Sequence, residues 1–267
     1  MTRSLAICGV TASFLASTAI AETIPGIGVF EGTAGLGSSN GDVSDSPVGS
    51  SYVYVSTANS EYTDAGLGVG GETNGSELTT FQFDATAGDV LSYYFNYITS
   101  DGAGFSDYAY AILNSLTDNA GDELIFTART TTAGNTVPGF DLPEIADGVT
   151  LTPTTSAIVA NATTWEELGS SSGGCFSAGC GSTGWIQSNY MIETDGAYSF
   201  TFGVTNISDQ IFASGLAIAG LTVGDQVIIP DDPGGPISPP PSAVPLPAGA
   251  WMLLAALGGL GLARRRD

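Results

Sequence analysis

The sequence contains no histidine, and its five basic residues are all arginines, so it has no lysine either. Without histidine the chain cannot build a Ser-His-Asp or Cys-His catalytic arrangement or a histidine-ligated zinc site. Without lysine it has no residue for a Schiff base or for the lysine of a phosphate-binding P-loop. These absences exclude most reaction classes and leave carboxylates as the main candidates for chemistry.

Positive charge is also scarce. The chain carries 27 acidic residues against its five arginines, for a net charge of −22, and between residues 22 and 248 Arg129 is the one basic side chain. Such a surface repels nucleic acid and anionic lipid, which require clustered Lys and Arg, so no nucleic-acid partner is expected. The acidity fits either adaptation to a salty medium, where charges are screened, or binding of divalent cations.

The N-terminus, residues 1–21, has the organisation of a secretory signal peptide. Arg3 provides the positive region, an apolar core covers residues 5–16, and Ala19 and Ala21 form the small-residue pattern that precedes cleavage. We therefore expect the chain to be exported through the inner membrane and cleaved after Ala21.

Residues 22–229 form the body of the protein and read as a series of short alternating strands separated by Gly- and Asp-containing turns. This pattern predicts an all-β fold, a single antiparallel β-sandwich or jelly-roll-like domain. In the aromatic strand over residues 90–99, Leu91, Tyr93, Phe95 and Tyr97 should share one face.

Two further local predictions concern the second half of the body. Residues 185–192 and 197–204 are expected to pair around a Thr-Asp-Gly turn, with Tyr198, Phe200 and Phe202 on the one dry face of the second strand. The segment 163–168 is the best candidate for one or two helical turns, started by a threonine cap.

Two cysteines, Cys175 and Cys180, remain after removal of the signal peptide. An even number in an exported protein predicts a disulfide, which would close a small glycine-rich loop. A redox-active pair is the alternative, but the spacing is not CxxC and nothing nearby is basic enough to lower a thiol pKa. We therefore interpret the pair as structural.

Carboxylates give two weak candidates for chemistry. Asp101 and Asp107 flank a glycine-containing loop, and with Asp209 they could offer hard oxygen ligands to Ca²⁺, although capping of their own turns is the plainer explanation. Glu166 and Glu167 beside Trp165 are the most suggestive pair for glycoside hydrolysis, against the alternative of a solvated acidic turn.

The C-terminal part begins with a proline-rich linker, residues 230–243, which predicts a semi-rigid spacer. Residues 248–263 then carry no charge, and counting back to residue 244 gives a run long enough for a short membrane-spanning helix. Three arginines follow and would hold the far end in the cytoplasm. An ordinary C-terminal single-span anchor or a buried core helix is the plainer alternative for this segment.

The tail 244–267 resembles the VPLPA-CTERM sorting signal, a variant of the PEP-CTERM tails of Gram-negative bacteria. The resemblance rests on a proline motif, the apolar run after it and a basic end, formed by Val244, Pro245, Leu246, Pro247, Ala248 and Arg264, Arg265, Arg266. It implies recognition in the inner membrane by an exosortase-type processing enzyme, removal of the tail, and delivery of the mature form to the cell surface or extracellular matrix.

A second resemblance lies in the body. Residues 91–97 with 106–111, and residues 196–200 with 214–218, are similar to segments of exported PEP-CTERM and related surface β-sandwich proteins, the second set to their closing strand pair. Members often carry an Asp after the Leu-x-Ile of the last segment, where this chain has Ala219. That departure weakens any ion site carried over from the family.

Two functions from different classes remain. The favoured one is a non-enzymatic, surface- or matrix-targeted protein that acts in adhesion, glycan binding or matrix formation, with extracellular polysaccharide as partner. The alternative is an exported carbohydrate-active enzyme that uses paired carboxylates.

Overall fold

The structure, a computed structural model, describes residues 21–117, 121–131 and 134–234. Most of the signal peptide and the segment 235–267 lie outside these residues, and with them the proposed sorting motif Val244–Ala248 and the arginines 264–266. Within the described ranges, no helix is long and apolar enough to cross a membrane.

Antiparallel strands dominate the described chain. In order they are β1 (Glu22–Ile24), β2 (Gly28–Glu31), β3 (Thr33–Ser38), β4 (Ser51–Ser56), β5 (Glu72–Thr80), β6 (Phe83–Ala85), β7 (Val90–Thr99), β8 (Tyr108–Ser115), β9 (Glu123–Arg129), β10 (Thr150–Thr152), β11 (Val159–Ala160), β12 (Gly181–Ser182), β13 (Ile186–Met191), β14 (Gly196–Ile207), β15 (Ser214–Val223) and β16 (Gln226–Val227). A 3₁₀ helix, Glu166–Ser171, precedes β12.

These strands form two sheets. The first has the order β1-β2-β5-β14-β8-β9, with β6 also paired to β14. The second has the order β10-β13-β7-β15-β4-β3, with β12 paired to β7, β11 to β12 and β16 to β15. The fold is therefore all-β, with two antiparallel sheets packed against each other as in a β-sandwich.

The main core lies between the two sheets and is rich in aromatic side chains. Leu91, Tyr93, Phe95 and Tyr97 of β7 are fully buried, which confirms the predicted shared face. Tyr93 meets Phe200 and Phe202 of β14 edge to face, with 5.3 Å between ring centroids in both pairs. Burial of each such ring contributes about 1.5–3 kcal/mol to stability.

The predicted pairing of residues 185–192 with 197–204 is wrong. β13 pairs with β7 and β10 in the second sheet, whereas β14 lies between β5 and β8 in the first sheet. The chain crosses from one sheet to the other between these strands, as it does again between β14 and β15. Alternation of apolar residues looks the same in a hairpin and in such a crossing, because both arrangements bury one face of each strand.

The outer face of β14 is also covered, contrary to the expected single dry face. Thr205 is fully buried, and the hydroxyls of Thr201 and Thr79 lie 2.9 Å apart. Asn114 Nδ2 donates to Thr201 Oγ1 at 2.8 Å. Hydrogen-bonded polar side chains from the flanking strands thus cover this face. From their polarity alone, the side chains of this face would be expected to contact water.

A second, smaller core lies on the outer face of the second sheet, under the 3₁₀ helix. Its centre is Trp165, which is fully buried and donates from Nε1 to the hydroxyl of Tyr52 at 2.8 Å. Gly215 of β15 makes room for the indole, since a Cβ there would lie 2.5 Å from the ring. The predicted helical turns exist, but Trp165 rather than a threonine occupies the N-cap position and no side chain caps the helix.

Candidate functional site

Loops at one end of the sandwich bring the three predicted aspartates into one neighbourhood. Asp101 and Asp107 lie between β7 and β8, and Asp209 lies between β14 and β15. Burial raises the pKa of Asp101 to about 6, and the charge of Asp209 adds to the increase. The sequence prediction therefore selected residues that interact in space, although they come from different loops.

Asp107 is the centre of this loop end. Its carboxylate is fully buried and accepts hydrogen bonds from the backbone N–H of Ile207 at 2.9 Å and from Ser214 Oγ at 2.6 Å. Burial raises its pKa well above the usual range, and the charges of Asp101 and Asp209 raise it further. One carboxyl group thus joins the β7–β8 loop to the end of β14 and the start of β15.

The aspartates show little of what a calcium site needs. Both oxygens of Asp107 already accept protein hydrogen bonds, and Asp101 Oδ1 accepts from the N–H of Gly102 at 2.7 Å. Across the described ranges, no group of three or more Cys, Asp or Glu side chains is arranged to hold a metal ion. Calcium at Asp101, Asp107 and Asp209 remains a prediction.

The disulfide loop packs directly against the aspartate loop. Cys175 and Cys180 are joined, with 5.6 Å between their Cα atoms, as the sequence predicts. Within this loop, the N–H of Phe176 donates to the carbonyl of Ser100 at 2.9 Å. The carbonyl of Ala178 accepts from the N–H of residue 103 at 2.8 Å. The disulfide therefore holds one loop as a cover over another.

Beside this network lies a polar cleft of about 270 Å³, here named the amide cleft. Four amide side chains line it together with hydroxyl groups and the aliphatic Ile211, and no charged side chain is among its described lining residues. The amides are Asn59, Asn74, Asn206 and Gln210. The cleft therefore offers uncharged hydrogen-bonding groups in a chain whose net charge is −22.

The inner wall of the amide cleft is a hydrogen-bonded pair of asparagines. Asn74 Nδ2 donates to the carbonyls of Thr57 at 3.2 Å and Ser60 at 2.9 Å, which fixes the orientation of its amide. Asn206 Nδ2 donates to Asn74 Oδ1 at 3.0 Å, so Asn206 Oδ1 is left without a donor. A buried acceptor without a partner costs about 1–3 kcal/mol.

The outer amides lie at the mouth of the cleft. Asn59 and Gln210 are exposed, and Asn59 has a left-handed backbone with φ of 57°. Asparagine tolerates this conformation better than most residues. Sequence analysis missed all four amides because each is a single polar residue in a different segment, so no spacing pattern connects them.

The predicted acidic pair beside Trp165 does not form an open catalytic groove. The indole belongs to the second core, and Glu167 accepts from Asn40 Nδ2 at 3.1 Å. Burial raises the pKa of Glu167, whereas the Glu166 side chain is exposed. Glu167 thus serves to attach the 3₁₀ helix to the loop that carries Asn40.

A different pair of carboxylates faces across two strands of the first sheet. Glu31 of β2 is directly opposite Glu77 of β5, a register that places Cβ atoms about 5 Å apart. Tyr110 donates to Glu77 Oε1, and Tyr62 donates to Glu77 Oε2 at 3.3 Å. Burial raises the pKa of Glu77, and the charge of Glu31 adds to this increase. Sequence reasoning missed this pair, because 45 intervening positions separate its members.

No protein family, curated protein or solved structure matches the chain.

Proposed function

We propose that this chain is an exported, surface- or matrix-targeted β-sandwich protein that binds carbohydrate without chemically changing it. The destination is inferred from the signal peptide and from the resemblance of the tail to VPLPA-type sorting signals. The binding activity is inferred from the amide cleft, and one observation carries it: four side-chain amides and several hydroxyl groups converge on one cleft that has no charged side chain among its described lining residues.

Neutral sugars suit this cleft for chemical reasons. An amide side chain offers a donor and an acceptor on one plane, which matches the adjacent hydroxyls of a sugar ring. Ile211, which is 72% exposed, offers an apolar contact for the C–H face of the ring. The described lining offers no cation to an anionic ligand and no carboxylate to a metal ion. A polyhydroxylated neutral ligand therefore fits the cleft best.

A glycan array tests the binding proposal. The wild-type chain should bind a subset of neutral glycans, and the double variant Asn59→Gly, Gln210→Ala should lose that binding by tenfold or more. Glycine keeps the left-handed backbone at position 59. Gln82→Ala is the matched control, because Gln82 is exposed and follows β5, whereas Asn74 lies near the start of that strand. Equal binding by all three proteins would refute the role of the cleft.

Export and processing have a separate test. Mass spectrometry of the form released from the surface of the producing cells should show a chain that begins after residue 21 and lacks the arginine-terminated tail. An exosortase-type enzyme in the inner membrane is the expected processing partner. Recovery of the intact chain from the cytoplasm would contradict the proposed destination.

The facing carboxylates Glu31 and Glu77 favour a second candidate function, glycoside hydrolysis. Their cross-strand register places both carboxylates on one face of the sheet, as hydrolysis by paired carboxylates requires, and the raised pKa of Glu77 suits a general acid. Against it, both oxygens of Glu77 accept bonds from tyrosines. Turnover of a glycoside that Glu77→Gln abolishes, with the fold intact, would replace our proposal with this one.

A further inference from the structure

Arg129 occupies an unusual position in this acidic domain. It is the one basic side chain between residues 22 and 248, yet it forms no ion pair with any carboxylate in the described part of the chain. Its Nε donates to the carbonyl of Ser106 at 3.0 Å, which fixes the guanidinium at the end of β9. A half-buried cation without a counter-ion is costly, and an arriving anion would offset that cost.

The guanidinium lines a cleft of about 300 Å³ at the loop end of the sandwich. Phe140 lies in the wall of this cleft and is 61% exposed, more than any other phenylalanine in the described chain. Thr130 adds a polar group to the wall, and Asp141 adds a carboxylate that limits how many negative charges the cleft can accept. The cleft therefore presents one cation, one exposed aromatic ring and one acid.

We propose that the Arg129 cleft binds one acidic sugar unit, through its carboxylate or sulfate group. An anion alone would need only the arginine, whereas an exposed aromatic ring beside it also favours a ligand with a ring to stack. The volume is at the lower end for ligand sites, which suits a single sugar unit. The presence of Asp141 favours a unit with one negative charge over a densely charged one.

This inference rests on the proposed function and specifies its ligand. Asn206 lines the amide cleft, and its neighbour Ile207 lines the Arg129 cleft, so the two clefts lie on either side of the end of β14. A polysaccharide with neutral and acidic units could occupy both. The acidic unit would also select among polysaccharides, because the −22 net charge disfavours anionic chains that have no such specific contact.

Titration of the purified full chain with matched oligosaccharides tests the proposal. The probes are oligomers of galacturonic, glucuronic and mannuronic acid, the same oligomers with every carboxylate methyl-esterified, and sulfated galactose oligomers. The variants are Arg129→Gln, which removes the charge, and Arg129→Lys, which keeps it but lacks the planar group. Gln82→Ala is the control, and thermal unfolding shows that each protein is folded.

We expect at least one acidic oligomer to bind tenfold or more tightly than its ester, and Arg129→Gln to abolish that difference. Arg129→Lys keeps the positive charge but loses the Nε–H bond to Ser106, so it should retain part of the preference for the acidic oligomer. A preference for the acidic oligomer that survives Arg129→Gln would overturn this inference. So would a wild type that binds neutral glycans but shows no preference for any acidic oligomer over its ester. Either result would leave the proposed function standing. Failure of every oligomer and every array glycan to bind would overturn both.

Discussion

Substitution of Asp107 tests whether one buried carboxyl group organises the loop end. The Asp107 carboxyl group accepts hydrogen bonds from the Ile207 N–H and the Ser214 hydroxyl. Burial raises the pKa of this group, and the negative charges of Asp101 and Asp209 raise it further. A carboxyl group with a raised folded-state pKa contributes stability that is fully present below its unfolded-state pKa. That stability is lost as the pH rises through the folded-state pKa.

The expected loss of stability follows from the hydrogen bonds that Asp107 accepts. Asp107→Ala leaves the Ile207 N–H without a partner and removes the acceptor of Ser214, at about 1–3 kcal/mol for each buried group. Ser214 Oγ lies 2.7 Å from Thr99 Oγ1, which can serve as a substitute acceptor. The expected loss in the free energy of unfolding is therefore about 2–4 kcal/mol. Asp107→Asn keeps the shape and an acceptor for Ile207, so it should cost under about 1 kcal/mol at pH 4.5.

Urea unfolding from pH 4.5 to pH 8 is the measurement. Relative to the wild type, Asp107→Asn should gain stability as the pH rises, because the wild type must ionise or hold a proton on a buried group and the amide does not. Asp45→Asn, at an exposed position, is the control and should run parallel to the wild type. A difference between Asp107→Asn and the wild type that does not change with pH would refute this reasoning.

Three further predictions concern other parts of the fold. A Cβ at position 203 would lie 2.2 Å from the ring of Tyr110, so Gly203→Ala should lower the free energy of unfolding by about 1–3 kcal/mol in urea titrations, whereas Gly121→Ala, in open space, should not. Reduction of the disulfide should cost about 2 kcal/mol by the chain-entropy relation for so small a loop, measured by unfolding with and without reductant; an unchanged midpoint would contradict it. Because burial raises the pKa of Glu77, Glu77→Gln should gain stability relative to the wild type between pH 4.5 and pH 7, and a loss over that range would contradict the assignment.

Strands with strong apolar alternation could be predicted from the sequence, and their partners could not. The aromatic face of β7 is fully buried as expected, because a period of two leaves only one way to bury four large side chains together. The partner of β13 was predicted wrongly, since a short turn permits either a hairpin or a crossing between sheets. Strands β1–β3 are short and lack strong apolar alternation, so the sequence alone does not mark them.

The candidate site was predictable only where a local feature marked it. The two cysteines and the glycine-containing aspartate loop have compositional signals, and the fold brings them into contact. The amide cleft has none, because it depends on hydrogen bonds between asparagines 132 positions apart. Trp165 is the opposite case, since an aromatic residue beside two acids has the local pattern of a sugar-binding groove but here fills a core.

The central claim is that neutral carbohydrate binds in the amide cleft, and side-chain amide NMR signals test it most directly. On titration of the isotope-labelled protein with the best-bound neutral oligosaccharide, the signals of Asn59, Asn74, Asn206 and Gln210 should shift together, while that of Gln82 stays fixed. Shifts confined to the surroundings of Glu77, or no shift in these four amides despite binding, would contradict the account.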